Sequence, residues 1–251
     1  MALARWIIAL FIAAFGMISY CSTSTENPVT GEKQRVALTP EEEIALGQKL
    51  APQMTAQFGG LAGAGANERV KRVGARLVAQ SSAASTPYQY GFYVLADRRT
   101  VNAFALPGGQ IFITEALLAQ LATEDELAAV LGHEIGHVLA RHSAEHLAKQ
   151  QLTRQLVGAV VVGGGSYETA QLAQIAGSFI NMKHGRDDEL ESDALGLRLV
   201  REAGYDPAAM IRVMQVLEKA SGGSSQPEFA STHPSPANRI ARIREQLEQA
   251  K

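Results

Sequence analysis

Residues 128–140, Ala128-Ala129-Val130-Leu131-Gly132-His133-Glu134-Ile135-Gly136-His137-Val138-Leu139-Ala140, place an HExxH pattern inside an apolar run. On a helix, residues four apart lie one above the other, so His133 and His137 can turn their imidazoles toward one metal ion, with Glu134 beside them. Two imidazoles and one further ligand suit tetrahedral zinc, leaving a fourth position for a water that Glu134 can deprotonate. Ala128, Leu131, Val138 and Leu139 mark a core helix rather than a surface helix with scattered histidines, and a buried histidine pair without a partner is costly. The stretch predicts a zinc site suited to hydrolysis.

The third ligand must come from elsewhere. The single cysteine, Cys21, excludes a thiolate cluster and an intrachain disulfide, which leaves His, Glu or Asp. Arg186-Asp187-Asp188-Glu189-Leu190-Glu191-Ser192-Asp193 opens a second strong helix about fifty residues on. Glu189 and Asp193 share one face of it, whereas Glu191 lies roughly 160° from Asp193. Glu189 is therefore expected to coordinate zinc and Asp193 to accept the ring N–H of a ligating histidine, His133 first, while Glu191 falls on a solvated face. At 100° per residue His142 sits about 180° and His146 about 220° around the helix from His133, so neither is expected to face the metal. His184 is read as solvent-exposed.

Outward from these helices, the chain reads as one α+β domain that is mostly helical. Its 251 residues are 46% hydrophobic and 19% charged, enough for one well-buried core. A net charge of -2 gives no basic patch, so nucleic acid is not an expected partner. Arg5 followed by the apolar run Trp6 to Ile18 reads as a signal peptide over residues 1–21. Thirteen residues span about 20 Å as a helix, short of a hydrocarbon core of about 30 Å. Residues 22–38 are polar and turn-rich and read as an extended tether, followed by a domain over 39–251.

Thr39-Pro40-Glu41-Glu42 opens a helix with a capping box, and Asn67 is expected to cap a second. Alternation in Tyr88, Tyr90, Phe92 and Val94, then Val101 to Ala105 and Gln110 to Thr114 around Leu106-Pro107-Gly108-Gly109, predicts a small sheet beside the HExxH helix. The HExxH helix is expected to run on past His146 to about Val157. Further helices are predicted over Thr169 to Met182, Asp187 to Ala203, from Asp206-Pro207 to Ser221, and around Ile240, Ile243 and Leu247. A long loop fills Gly222 to Pro236.

The HExxH helix, the Glu189/Asp193 pair, the hairpin Val101 to Gly109 and Thr232-His233-Pro234-Ser235-Pro236-Ala237-Asn238-Arg239 together resemble the M48 family of gluzincin metallopeptidases, from about Asn27 to the C-terminus. The resemblance implies a zincin-type fold and a zinc-dependent endopeptidase that acts on unfolded or misfolded envelope proteins. It implies that His233 lies near the zinc and can fill its open position in a latent form, with Gly222, Gly223, Ser224 and Ser225 permitting movement. It further implies that His233 or Arg239 can stabilise an oxyanion, and that Asn102, Ala103, Phe104 and Ala105 form an edge strand against which a peptide is laid.

Ile18-Ser19-Tyr20-Cys21 resembles a bacterial lipobox, with Tyr20 where Gly, Ala or Ser is usual. Acylation of Cys21, sorted by Ser22, implies a periplasmic protein anchored to the outer membrane by lipid. Asn27-Pro28-Val29-Thr30-Gly31 after that cysteine is similar to the periplasmic lipoprotein members. Two other readings stay open: a chaperone or assembly factor in which zinc serves structure, and a hydrolase of non-peptide amides.

Overall fold

The computed structural model describes residues 2–160, 185–221, 233 and 238–249. The predicted helix Thr169 to Met182, His184 and, apart from His233, the loop Gly222 to Pro236 lie outside the described residues. Helix α1 (Ala2–Ser22) is followed by a two-stranded antiparallel hairpin, β1 (Ser24–Glu26) and β2 (Lys33–Arg35), then α2 (Pro40–Gln57) and α3 (Ala64–Ala79). A three-stranded sheet follows, made of β3 (Gly91–Leu95), β4 (Ala103–Ala105) and β5 (Gln110–Thr114) in the order β3-β5-β4. After the short α4 (Glu115–Leu118) come α5 (Glu124–Leu139), α6 (His142–Val160), α7 (Arg186–Glu202), α8 (Ala209–Ser221) and α9 (Arg239–Gln249). The fold is mostly helical with small sheets, as the residue pattern predicts.

The central strand β5 is buried along its whole length because both of its faces are covered. It pairs in parallel with β3 and antiparallel with β4, and successive side chains sort onto opposite sides. Phe112 stacks between Tyr93 at 5.0 Å and Phe104 at 5.1 Å on the face that meets Leu50, Met54 and Phe58. Ile111 and Ile113 join Phe92 and Val94 on the other face, against Val70, Val73 and Leu77 of α3 and the apolar side of α5. The sheet is thus a partition, and α5 lies on its inner side.

Helix α5 begins at Thr123, whose hydroxyl accepts the Glu126 N–H, and three acidic residues occupy its first turn, at the positive end of the dipole. Every residue from Glu126 to Leu139 is buried. The contact of α5 with α7 is unusually close because glycines sit at the crossing. A methyl group on Gly136 would lie 2.8 Å from the Ser192 carbonyl oxygen, and one on Gly196 would lie 3.0 Å from the His133 nitrogen. Gly132 and Gly136, inside the metal-binding pattern, let the second acidic helix approach near enough for carboxylates to reach imidazoles.

Four expectations are corrected. Residues 22–38 are not an extended tether. The Asn27 amide donates to the Leu139 carbonyl at 2.9 Å and the Gln34 amide donates to the Ala140 carbonyl, so the hairpin docks on carbonyls left over at the C-terminal end of α5. Asn67 is not a helix cap. Gly63 holds that position, and Asn67, four residues on and buried, donates to the Ala62 carbonyl and accepts the Val94 N–H, tying α3 to the sheet.

The third and fourth concern the strand and the long helix. Asn102 precedes β4, and its carbonyl accepts the Thr114 N–H at 3.0 Å, so its backbone faces inward. The HExxH helix does not run past His146. It stops at Leu139, Arg141 takes a left-handed backbone with φ of 60°, and a new helix starts at His142. Such a conformation costs about 1–2 kcal/mol for a side-chain-bearing residue. Here it is held by buried contacts of the guanidinium, which donates through Nε to Glu43 at 2.8 Å and through Nη2 to the Leu38 carbonyl at 2.6 Å. Burial pushes the Glu43 carboxyl up to about 7, against the pull of Arg141.

Candidate metal centre

Four side chains from three parts of the chain meet in the core. His133 and His137 come from α5, Glu189 from the first turn of α7, and His233 from the segment before α9. One ligand atom from each lies within 4.8 Å of every other, and all four residues are buried. The distances are finer than that bound. His133 Nε2 is 3.1 Å from His137 Nε2 and 3.4 Å from His233 Nδ1, and Glu189 Oε1 is 2.9 Å from His233 Nδ1 and 3.4 Å from His137 Nε2.

These spacings bear on the group the donors could hold. Ligands at roughly 2.0–2.1 Å from a tetrahedral zinc stand about 3.3–3.4 Å from one another. Four of the six edges are 2.9–3.4 Å and all lie within 4.8 Å, a spacing that suits donors gathered around one small cation. Three imidazoles and a carboxylate are also the borderline donor set zinc accepts. The pattern predicts His133, His137 and Glu189 from spacing, and His233 through the family resemblance; the structure brings all four together.

Glu134 is not among the donors. Both its carboxylate oxygens are buried without a hydrogen-bond partner among the described residues, and Oε1 lies 3.8 Å from His233 Nε2. An ionised carboxylate in that condition is costly unless a cation or water meets it, and burial accordingly raises its pKa, with His233 and His133 pulling the other way. A second buried network braces the donors. Asp193 Oδ1 lies 3.0 Å from His133 Nδ1, a close pair set off the ideal hydrogen-bond line. Burial opposes the charge on His133, yet Asp193 and Glu189 outweigh it and lift the imidazole to about 9 in the metal-free protein. Burial also works against the Glu189 charge, but His233, His133 and His137 hold that carboxyl well below its usual range.

Arg239 takes a different place from the one the resemblance implies. Its Nε and Nη2 donate to the two oxygens of Asp193, each at 2.7 Å, and its Nη1 lies 2.8 Å from Glu189 Oε2. The guanidinium is 1% exposed. It clamps the two carboxylates that face the histidines, so it is committed to holding the site and is not free to meet an oxyanion.

His142 and Glu191 are also not where helical extrapolation puts them. The break at Arg141 swings His142 inward, so that its Nδ1 lies 2.9 Å from His137 Nδ1 and its Nε2 lies 3.1 Å from Glu191 Oε2. Glu191 faces α6 rather than bulk water, and one turn away His146 Nε2 meets Asp188 Oδ2 at 2.9 Å. Nothing in residue spacing signals these pairs, because they depend on one left-handed residue.

On the sheet, Asn102, Phe104 and Leu106 turn their backbone groups toward β5, as the bonds Thr114 N–H to Asn102 and Leu106 N–H to Gln110 show. In an antiparallel ladder the alternate residues, Ala103 and Ala105, then direct theirs to the edge. Ala103 is buried and Ala105 half-buried. Asn102 Oδ1 is buried without a hydrogen-bond partner among the described residues.

The model of peptidase family M48 matches residues 64–247, well over half of the chain. The chain is 31% identical over 234 residues to the beta-barrel assembly-enhancing protease of Yersinia pestis, covering 89% of this chain and 48% of that protein. It is 38% identical over 184 residues to the mitochondrial metalloendopeptidase OMA1 of Schizosaccharomyces pombe, covering 72% and 53%. With the beta-barrel assembly-enhancing protease of Escherichia coli K12 it shares 30% over 191 residues, 72% and 38%. The chain therefore spans about half the length, or less, of these relatives. The matched region holds the HExxH helix, the Glu189/Asp193 helix, His233 and Arg239, and on that ground the chain belongs to peptidase family M48.

Proposed function

We propose that the chain is a zinc-dependent endopeptidase that hydrolyses peptide bonds of unfolded or misassembled envelope proteins. The observation that carries the reading is the convergence of His133, His137, Glu189 and His233 beside a buried, unpartnered Glu134. A zinc ion held by those donors would supply a Lewis acid that polarises the scissile carbonyl and acidifies a water molecule. Glu134 takes the proton from the attacking water and delivers it to the leaving amine. Asp193 and Arg239 keep His133 and Glu189 aimed at the centre. The outward backbone groups of Ala103 and Ala105 offer pairing to an extended peptide, which suits unfolded chains of varied sequence.

Were His233 to hold a zinc ion together with the other three residues, the donors would all be protein groups. The described state is therefore read as latent, and His233 must leave before cleavage. The same observation favours a second reading, a chaperone or assembly factor, because structural zinc sites are closed by four protein groups. For location, we take the exposed Cys21 at the end of α1 as the acylated anchor of a periplasmic, outer-membrane protein. No helix among the described residues is long and apolar enough to cross a membrane. The relatives named for beta-barrel assembly support an envelope client.

The test is degradation of unfolded casein and of a denatured β-barrel outer-membrane protein by the purified chain. Cleavage is expected to stop with a chelator and return with zinc, and to be faster in His233→Ala if that histidine is a latch. A zinc-loaded protein that cleaves neither substrate, in wild type or in His233→Ala, would leave the binding module as the better account.

A further inference from the structure

We propose that His142 and Glu191 form a positioning relay that fixes the ring of His137 at the metal centre. This inference rests on the zinc reading of the site. His137 Nε2 is the atom that joins the donor cluster, 3.1 Å from His133 Nε2 and 3.4 Å from Glu189 Oε1. A neutral imidazole with its lone pair at Nε2 carries its hydrogen at Nδ1. That hydrogen has His142 Nδ1 before it, at 2.9 Å. His142 Nδ1 must then present a lone pair, which places its own hydrogen on Nε2, where Glu191 Oε2 lies 3.1 Å away and accepts. One tautomer assignment satisfies both contacts. Ser192 Oγ, 3.3 Å from His142 Nδ1, is a second and longer donor to the same nitrogen.

The two histidines of the pattern are thus braced by different means. His133 Nδ1 faces Asp193 directly, whereas His137 Nδ1 is linked to the Glu191 carboxylate through an intervening imidazole. Both carboxylates sit on α7 with Glu189, so one helix supplies a ligand and both braces. His137 and His142 are each 2% exposed, and their rings lie at 68° with centroids 5.0 Å apart, an edge approach that aims nitrogen at nitrogen. The left-handed Arg141 creates this approach, since an unbroken helix would turn the fifth residue after His137 well away from it. Glu43 and the Leu38 carbonyl, which hold Arg141, therefore also set the relay.

Loss of such an outer partner typically weakens metal binding about 10–100-fold. In His142→Leu, zinc is expected to transfer to a chromogenic chelator with an affinity loss of that size. The visible spectrum of the cobalt-substituted protein should shift as the His137 ring loses its orientation. His142→Asn, whose side-chain oxygen can stand near the Nδ1 position and accept the same hydrogen, should recover most of the affinity and the wild-type spectrum. The unfolding temperatures of the two metal-free variants should agree, which separates positioning from packing. Glu191→Leu, altered at the partly exposed end of the relay, should weaken zinc in the same direction and serves if His142→Leu does not accumulate. Zinc retention in His142→Leu equal to wild type, or equal loss in His142→Asn and His142→Leu, would overturn the relay while leaving the zinc site standing. A wild-type protein that binds no zinc would overturn both.

Discussion

Glu134→Gln is expected to keep its zinc and to lose proteolysis by about 10²–10⁴-fold, the range for removal of a positioned general base. The carboxylate is outside the donor set, so the amide should leave metal content unchanged. Shape and burial are kept, and only the capacity to take a proton is lost. Both oxygens of Glu134 lack a hydrogen bond, so nothing else in the described residues competes for that proton position. Rates on unfolded casein, set beside zinc content for the same preparation, check it. Wild-type-like cleavage by Glu134→Gln would sink the mechanism.

Arg239→Met should cost about 3–5 kcal/mol of stability in the metal-free protein, the usual penalty for removing one partner of a buried ion pair. Arg239 is the cation shared by Asp193 and Glu189, and both carboxylates are buried. Without it, two buried negative groups lose the cation that faces both of them. Pairing the change with Asp193→Asn should recover part of the loss, since one of the stranded charges goes with it. Denaturant unfolding of the single and double variants measures both effects. If Arg239→Met instead keeps full stability and loses only turnover, the clamp is the wrong role and an oxyanion contact the right one.

Much of this site is legible in the residues because its parts are periodic. His133 and His137 are four apart on a helix, as are Glu189 and Asp193, and helical geometry carries each pair to one face without knowledge of the rest. Spacing cannot say that the two helices meet. Gly132, Gly136 and Gly196 make the meeting possible, and their meaning emerges only once the helices cross. His233 and Arg239 lie far from both helices in sequence and enter through the family resemblance.

What stays illegible depends on single backbone choices or on buried polar contacts over long separations. Extrapolating 100° per residue through Arg141 turns His142 away from His137; the left-handed backbone brings it back against that ring, outside the donor set, where it meets the Glu191 that its own helix's periodicity assigns to a solvated face. Arginine there is not a turn signal, because Glu43 and Leu38, about a hundred residues earlier, hold the conformation. The docked hairpin is hidden for the same reason. Asn27 and Gln34 look like residues of a polar tether until the carbonyls of Leu139 and Ala140 are placed beside them.

The central claim is that one zinc ion is held by His133, His137, Glu189 and His233. Zinc K-edge X-ray absorption on the purified protein tests it most directly. The account predicts one zinc per chain with four nitrogen or oxygen neighbours at about 2.0–2.1 Å and the multiple-scattering signature of three imidazoles. A six-coordinate oxygen shell, or a spectrum with no imidazole contribution, would contradict it.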